Sequence, residues 1–217
     1  MTQDVTLFGL KVSVYTRIAR MMLVEKNIAY SFCPANPFND PPDAPLPALT
    51  RFARIPVLRH GAFVVSETRA ILSYLDHLKP GKPMRPTDPR VCARSEQVMG
   101  ILDAYGYWPL VRQVFAHRVF RPLEGLEADE AEVARGLADA RPVLDALNDI
   151  VAEGLVLNMR GMTLADIYLA PMLDYFAMAG EGRAMLSGRG DLKDWLDWVR
   201  TTRSFRETVP DFTKLPR

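Results

Sequence analysis

The sequence contains few of the residues and patterns that mark several large classes of protein. Two cysteines, Cys33 and Cys92, occur among 217 residues, too few for the disulfide framework of a small secreted domain. The three histidines show neither triad nor metal-ligand spacing. No apolar run approaches the ~20 residues that span a bilayer, and the first residues lack the basic and apolar regions of a signal peptide. We therefore expect a cytoplasmic protein without a metal and without a membrane partner.

An excess of charge of one sign is also missing. Lys and Arg number 27 and Asp and Glu 26, so the net charge is +1. This balance gives no electrostatic reason to expect a nucleic acid as partner. Hydrophobic residues make up 48% and charged residues 24%, as in ordinary globular proteins. The length fits one large domain or two small ones.

Residues 1–79 have the pattern of a small α/β domain. Six prolines between Cys33 and Ala48 predict a loop, followed by a short helix over 48–53. Before and after this loop lie short β-rich runs and segments whose apolar residues recur with the period of a helix. The predicted elements are strands at 5–9, 30–33, 57–58 and 63–65, with helices at 13–26 and from residue 68. Their order, β-α-β-(α)-β-β-α, matches a thioredoxin-like domain with a parallel pair and a hairpin.

The rest of the chain is helical in pattern. Residues 80–88, rich in Pro, Lys and Gly, predict a linker, and residues 89–217 an all-helical domain. Long helices are expected near 89–119 and 129–154, with others starting near Thr163 and Asp191. Pro109 predicts a kink or a break in the first of them.

Four segments give the chain a strong resemblance to the glutathione transferase family, over essentially its whole length. They are SVYTRIARMML (13–23), RIPVL (54–58), SETRAILSYLDH (66–77) and GMTLADIYLAPML (161–173). The resemblance implies the glutathione transferase fold, with a thioredoxin-like domain before an all-α domain. It also implies a homodimer in which domains of opposite subunits touch, glutathione as co-substrate, and a small hydrophobic electrophile, as in detoxification.

The segment from Arg54 to Val57 is the first part of the implied glutathione site. A proline that opens a strand is tolerated because its missing N–H need not join the ladder. The resemblance implies that Pro56 is cis and that the N–H and C=O of Ile55 face outward, where an extended tripeptide can pair with them. Arg54 is included among the residues expected to contact glutathione. The alternative is an ordinary turn proline ahead of a hairpin.

Ser66, Glu67 and Thr68 lie where a strand ends and a helix begins. Free amides and the helix dipole attract a carboxylate at such a point. Thr68 is therefore expected to hold the γ-glutamyl carboxylate of glutathione, and Glu67 its ammonium group. A purely structural alternative makes Ser66 the N-cap.

Ser13 is the candidate catalytic residue. In serine-type members of the family, the matching hydroxyl donates a hydrogen bond to the glutathione sulfur and favours the thiolate, which is the nucleophile. Tyr15 is a competitor for this contact and Thr16 a weaker one, while an ordinary N-cap is the structural alternative for Ser13. No cysteine lies in this turn, which argues against the thiol-exchange members of the family.

The first long helix supplies candidates for the electrophile pocket. Tyr105, Trp108, Arg112 and Phe115 share one face at α-helical spacing. That face is expected to form the wall of an apolar pocket opposite Ser13, or else to be aromatic core packing.

Thr163 and Asp166 fit a capping box, for which we expect a structural role. As alternatives to a transferase, the sequence leaves open a non-catalytic binding or scaffold protein on this fold and a glutathione-dependent isomerase or dehalogenase. The absence of an SSC-type run near the start of the first helix weakens the isomerase.

Overall fold

The computed structural model describes residues 4–39, 41–79, 81 and 83–212. The chain divides into two compact units, of which Met84–Thr202 forms one and the residues before and after it form the other. The predicted linker, 80–88, spans this boundary, and its residues Pro80 and Lys82 lie outside the described part of the chain. The predicted limits of the two domains stay predictions. Among the described residues, no helix has the length and apolar character needed to cross a bilayer.

The first unit is built on a four-stranded mixed sheet. Its order is β2-β1-β3-β4, with β1 and β2 parallel and the other two pairs antiparallel. Apolar side chains of β1 and β3 are fully buried because these strands are central. The sequence predicted each strand to within about two residues. The elements of this unit are β1 (Val5–Gly9), α1 (Val14–Glu25), β2 (Ser31–Pro34), α2 (Leu46–Leu49), β3 (Val57–His60), β4 (Phe63–Ser66) and α3 (Thr68–Leu78), followed much later by α10 (Arg203–Thr208).

The short helix α2 begins two residues earlier than the predicted helix over 48–53 and ends four residues earlier, at Leu49. Two prolines, Pro45 and Pro47, sit at its start, where a missing N–H and a fixed φ are tolerated. Thr50 then adopts an extended conformation (φ −149°, ψ 138°) that ends the helix.

Helix α1 packs against α3 and α10. Its apolar residues Ile18, Met22 and Leu23 are fully buried, and Val24 is half-buried. A buried ion pair links the end of α1 to α3, with Lys26 Nζ 2.9 Å from Asp76 Oδ1. Because the pair is removed from water, each charge stabilises the other in the buried position.

Helix α10 groups with the first unit, whereas the predicted helical domain, 89–217, includes it. Its buried Phe205 carries the Arg17 guanidinium 4.3 Å above the ring, and Arg20 Nη1 donates to the carbonyl of Thr208 (3.1 Å). A cation over an aromatic face is attracted by the ring quadrupole. This contact joins residues nearly 190 positions apart, which local pattern does not reveal.

The second unit is entirely helical. The elements of this unit are α4 (Pro89–Ile101), π1 (Leu102–Gly106), π2 (Trp108–Phe120), α5 (Arg121–Leu123), α6 (Glu130–Glu153), α7 (Leu164–Phe176), α8 (Gly180–Ser187) and α9 (Gly190–Arg200). The long helices predicted near 89–119 and 129–154 are present, as are those predicted to start near Thr163 and Asp191. The sequence did not predict α8.

The first long helix neither breaks nor stays α-helical at Pro109. It continues through the π-helical segments π1 and π2, with Pro109 near the start of π2. A proline ring clashes with the carbonyl four residues earlier in an α-helix, and the wider i→i+5 turn avoids this clash. The predicted kink is therefore a change of helix type.

The capping box at the start of α7 is confirmed. Thr163 donates from its amide (2.8 Å) and its hydroxyl (2.6 Å) to Asp166 Oδ2, and the buried Trp195 Nε1 donates to Asp166 Oδ1 (2.8 Å). Burial raises the pKa of the Asp166 carboxyl, while these hydrogen bonds oppose the shift. The carboxyl thus ties the start of α7, every residue of which is buried, to α9.

Candidate functional site

Ser13 is the N-cap of α1. Its Oγ accepts a hydrogen bond from the Thr16 amide (3.4 Å), so its own proton can be donated elsewhere. The residue is half-buried, and the first turn of α1 contains no acidic side chain. A hydroxyl donor beside the positive end of a helix favours an anion at this point.

The two competitors for the sulfur contact differ in exposure. Tyr15, in the same turn, is half-buried, so its side chain is partly accessible. Thr16 is completely buried. Because the Thr16 side chain has no exposed surface at all, its hydroxyl is the weakest of the three candidates, and Ser13 and Tyr15 stay the predicted sulfur contacts.

Ile55 and Pro56 lie just before β3, and the peptide bond between them is cis, as expected. Pro56 is buried, Arg54 is exposed, and the half-buried side chain of Ile55 packs on an apolar cluster that includes Phe8 and Val57. Within the described chain, neither the amide nor the carbonyl of Ile55 has a hydrogen-bond partner. An extended peptide could therefore pair with this main chain.

Glu67, rather than Ser66, is the N-cap of α3. Ser66 is the last residue of β4, so the structural alternative for it is wrong. Glu67 is exposed and has φ 68° and ψ 120°, outside the regions that a side chain favours. Such strain costs of order 1–3 kcal/mol and persists only where the surroundings hold it.

The first turn of α3 has room for an anion. Thr68, its first residue, is buried, no side chain caps the helix, and the first turn contains no acidic residue. The Thr68 amide, which begins the helix, therefore has no acceptor within it. Exposed Glu67 stands beside them as a partner for a cation.

Strand pairing brings these three groups to one end of the sheet. Phe8 of β1 pairs with Val57 of β3, and Val57 pairs with Ser66 of β4. The end of β1, the start of β3 and the end of β4 therefore lie side by side. Ser13, Ile55 and Thr68 each follow or precede one of these strand ends by a few residues.

The four candidates for the electrophile pocket occupy different surroundings: two line a groove, one is exposed outside it and one is buried. Tyr105 and Trp108 are 67% and 59% exposed and line an open groove of about 590 Å³ between the first long helix and α6. Arg112 is exposed but does not line this groove, and its guanidinium lies 6.0 Å from the Trp108 ring. Phe115 points inward, 4.7 Å from the ring of Tyr175.

The predicted common face is thus wrong for Phe115. The prediction used the α-helical repeat of 3.6 residues per turn, whereas residues 108–120 form a π-helix with a wider turn. Both of the proposed roles, surface and core, therefore occur on this helix.

No sequence signal predicted two features of the site: the positive φ of Glu67 and the close packing of Thr16 on Gly9, described below. Both depend on how distant segments meet. Among the described residues, no group of three or more His, Cys, Asp or Glu could hold a metal ion.

The geometry defines a thioredoxin-like sheet with the candidate site residues at one end, followed in the chain by a helical unit. Family models for the N-terminal and C-terminal domains of glutathione S-transferases match residues 7–83 and 130–197, together more than half of the chain. The chain therefore belongs to the glutathione S-transferase family.

Individual relatives are distant but cover nearly the whole chain. Glutathione S-transferase F7 of Arabidopsis thaliana is 26% identical over 212 residues, which cover 94% of this chain and 99% of that protein. A stringent starvation protein A homolog of Histophilus somni is 25% identical over 210 residues, 96% of this chain and 91% of that protein. The apo structure of glutathione S-transferase III superposes with a TM-score of 0.85 at 24% identity, with 99% of each chain covered.

Proposed function

We propose that this protein is a glutathione transferase that activates the glutathione thiol for attack on a small hydrophobic electrophile. One observation carries the proposal: the Ser13 hydroxyl at the start of α1, the main chain of Ile55 and the start of α3 lie at one end of the sheet. Among the described residues, Ile55 has no main-chain hydrogen bond and the N-cap side chain of α3 makes none. The three groups suit the sulfur, the peptide backbone and the γ-glutamyl carboxylate of glutathione, respectively.

Each part of the tripeptide has a partner of matching chemistry. The cysteinyl backbone pairs with Ile55, whose N–H and C=O are unpaired within the described part of the protein. The γ-glutamyl carboxylate takes the Thr68 hydroxyl and the first amides of α3, and its ammonium group takes Glu67. Arg54, exposed beside Ile55, offers a positive charge to the glycyl carboxylate.

Ser13 supplies the activation. A free thiol has a pKa of ~8.5, and only the thiolate attacks. Because Ser13 Oγ accepts from the Thr16 amide, its proton is available to donate to the sulfur and to stabilise the anion. After the thiol proton has passed to water, the thiolate forms an S–C bond with the electrophile. In a substitution the bond to the leaving group breaks and its electron pair departs with that group; in an addition the electron pair moves into the conjugated acceptor, which takes a proton from water. Ser13 stays unmodified throughout.

Tyr105 and Trp108 provide a surface for the electrophile in the groove of the helical unit, with Arg112 beside it. Exposed aromatic rings in an apolar groove are typical of small-molecule sites. We expect Trp108→Ala to raise the KM for a hydrophobic electrophile about tenfold and to leave the KM for glutathione unchanged. Trp198→Ala, on α9 and outside the groove, is the control. Equal effects of both variants would contradict this role.

We also propose a homodimer that buries the face around Phe63. This residue lies on the edge strand β4, is 49% exposed and packs 4.8 Å from the Tyr74 ring. Exposed apolar side chains on a sheet edge invite a partner. Sedimentation velocity should show a dimer that Phe63→Glu weakens. Leu126→Glu, also at a position 49% exposed, should not; dissociation by both or by neither variant would contradict this interface.

The cytoplasm is the proposed compartment. Both cysteines are free and half-buried, which is compatible with reducing conditions. The detoxifying role follows only from the proposed chemistry.

Calorimetric titration with glutathione tests the function. Binding at or below millimolar concentration is expected, and turnover of an activated aryl halide should fall at least ~100-fold in Ser13→Ala, with a smaller change in Tyr15→Phe. A larger loss in Tyr15→Phe would move the sulfur contact to Tyr15. Binding without turnover would favour the scaffold alternative, and no binding at millimolar glutathione would refute the proposal.

A further inference from the structure

Thr16 packs directly on the backbone of Gly9. A Cβ atom on Gly9 would lie 2.5 Å from Thr16 Oγ1 and 3.0 Å from Thr16 Cγ2, closer than Cβ atoms come to such neighbours. The Thr16 side chain is completely buried, and its hydroxyl has no hydrogen-bond partner among the residues that the structure describes. It is therefore held at this position by its shape and not by a polar contact.

The sheet holds the backbone of Gly9 in place. Gly9 is the last residue of β1, pairs with Pro34 of β2, and its carbonyl accepts from the Ala35 amide (3.1 Å). The sheet thus determines where the Thr16 side chain can lie. Since Gly9 does not have a positive φ, its lack of a side chain serves the close approach and not the backbone conformation.

The other side of Thr16 faces the candidate catalytic residue. Its amide donates to Ser13 Oγ, the carbonyl of Ser13 accepts from the Arg17 amide (2.9 Å), and the Ser13 amide donates to Leu10 (3.0 Å). A displacement of Thr16 is therefore passed to the Ser13 hydroxyl through the first turn of α1.

We propose that Gly9 and Thr16 form a positioning pair that sets the place of the Ser13 hydroxyl relative to the end of the sheet. The inference rests on the proposed function of Ser13. Neither residue touches the substrate: the contact fixes how far the first turn of α1 stands from β1, and with it the alignment of the hydroxyl with the sulfur. A displacement of about 1 Å in a catalytic group can cost about 100-fold in rate.

Gly9→Ala tests the pair because its new methyl group must push Thr16 away. The double variant Gly9→Ala/Thr16→Ala removes the two nearest atoms and leaves the closest contact at 3.3 Å, which small shifts can accommodate. Thr16→Val keeps the shape and replaces an unpartnered hydroxyl. Comparison of these variants separates the effect of the shape of the Thr16 side chain from the effect of its hydroxyl.

The readout is the ionisation of the thiol of bound glutathione, followed by thiolate absorbance across pH. We expect Gly9→Ala to raise the midpoint by about one pH unit, toward that of a free thiol, and to slow turnover of an activated aryl halide at least ~10-fold. The double variant should recover most of both losses, and Thr16→Val should match the wild type. A Gly9→Ala midpoint equal to the wild type, with stability alone reduced, would overturn the inference.

Two further variants keep the test decisive. If Gly9→Ala does not fold, Thr16→Ala replaces it: we expect its midpoint to rise relative to Thr16→Val, and equal midpoints would refute the pair. Ser13→Ala separates the inference from its basis. A shifted midpoint there with none in Gly9→Ala overturns the positioning role only, whereas no shift in Ser13→Ala overturns the proposed function of Ser13 itself.

Discussion

Asp166→Ala should be strongly destabilising, because the carboxyl receives three hydrogen bonds in a buried place. The variant leaves the Trp195 N–H, fully buried, without an acceptor, which costs about 1–3 kcal/mol. It also removes the cap of α7, worth about 1 kcal/mol. We therefore expect a loss of about 3 kcal/mol in the free energy of unfolding, larger than a cap alone would give.

Urea unfolding at fixed protein concentration measures this loss as a lower midpoint at unchanged slope. Asp191→Ala is the matched control, since Asp191 is an exposed carboxylate in the first turn of α9 and should cost less than about 0.5 kcal/mol. Glutathione affinity should be unchanged in both variants. A loss below about 1 kcal/mol in Asp166→Ala, or one equal to that of Asp191→Ala, would refute the reasoning.

Three other predictions concern charge, strain and pH. Asp76→Ala removes the carboxylate 2.9 Å from the buried Lys26 ammonium and should cost about 3–5 kcal/mol, whereas Lys26→Met/Asp76→Leu should recover most of it; a single variant as stable as the double would contradict this. Glu67→Gly should stabilise the fold by about 1 kcal/mol through relief of the positive φ and weaken glutathione binding in calorimetry; lower stability would argue against strain. Because burial raises the pKa of Asp166, its contribution to stability is complete below its ordinary value of 3.8 and declines as the pH rises through the folded value. The free-energy gap between wild type and Asp166→Ala should therefore shrink with rising pH; a widening gap would contradict the direction.

The sheet was predictable because its strands are short, apolar and bounded by turn residues. Val5–Gly9 has a β-rich composition and a terminal glycine, and the hairpin turn at Gly61 lies between two such runs. The capping box was predictable for the same reason, since Thr163 and Asp166 are three residues apart. Local patterns thus sufficed wherever neighbours in sequence are also neighbours in space.

Contacts between distant segments were not predictable. The Trp195 N–H reaches Asp166 from another helix, and Phe205 lies under Arg17 from the far end of the chain. Nothing in the sequence places either residue. The π-helical segment also escaped prediction, because the apolar spacing around Pro109 was judged by the α-helical repeat.

The candidate site is an intermediate case. The family resemblance named Ser13, Ile55 and Thr68 as candidates, and strand pairing explains why they lie at one end of the sheet; their roles stay predictions. The strain at Glu67 and the packing of Thr16 on Gly9 required coordinates, because a backbone angle and a close approach leave no mark on composition.

The most direct test of the account is the pH titration of the thiolate absorbance of glutathione bound to the wild-type protein. The account predicts a midpoint at least about one unit below the ~8.5 of a free thiol, and a return toward that value in Ser13→Ala. Bound glutathione that ionises at the same pH as free glutathione would contradict the claim that this site holds a thiolate.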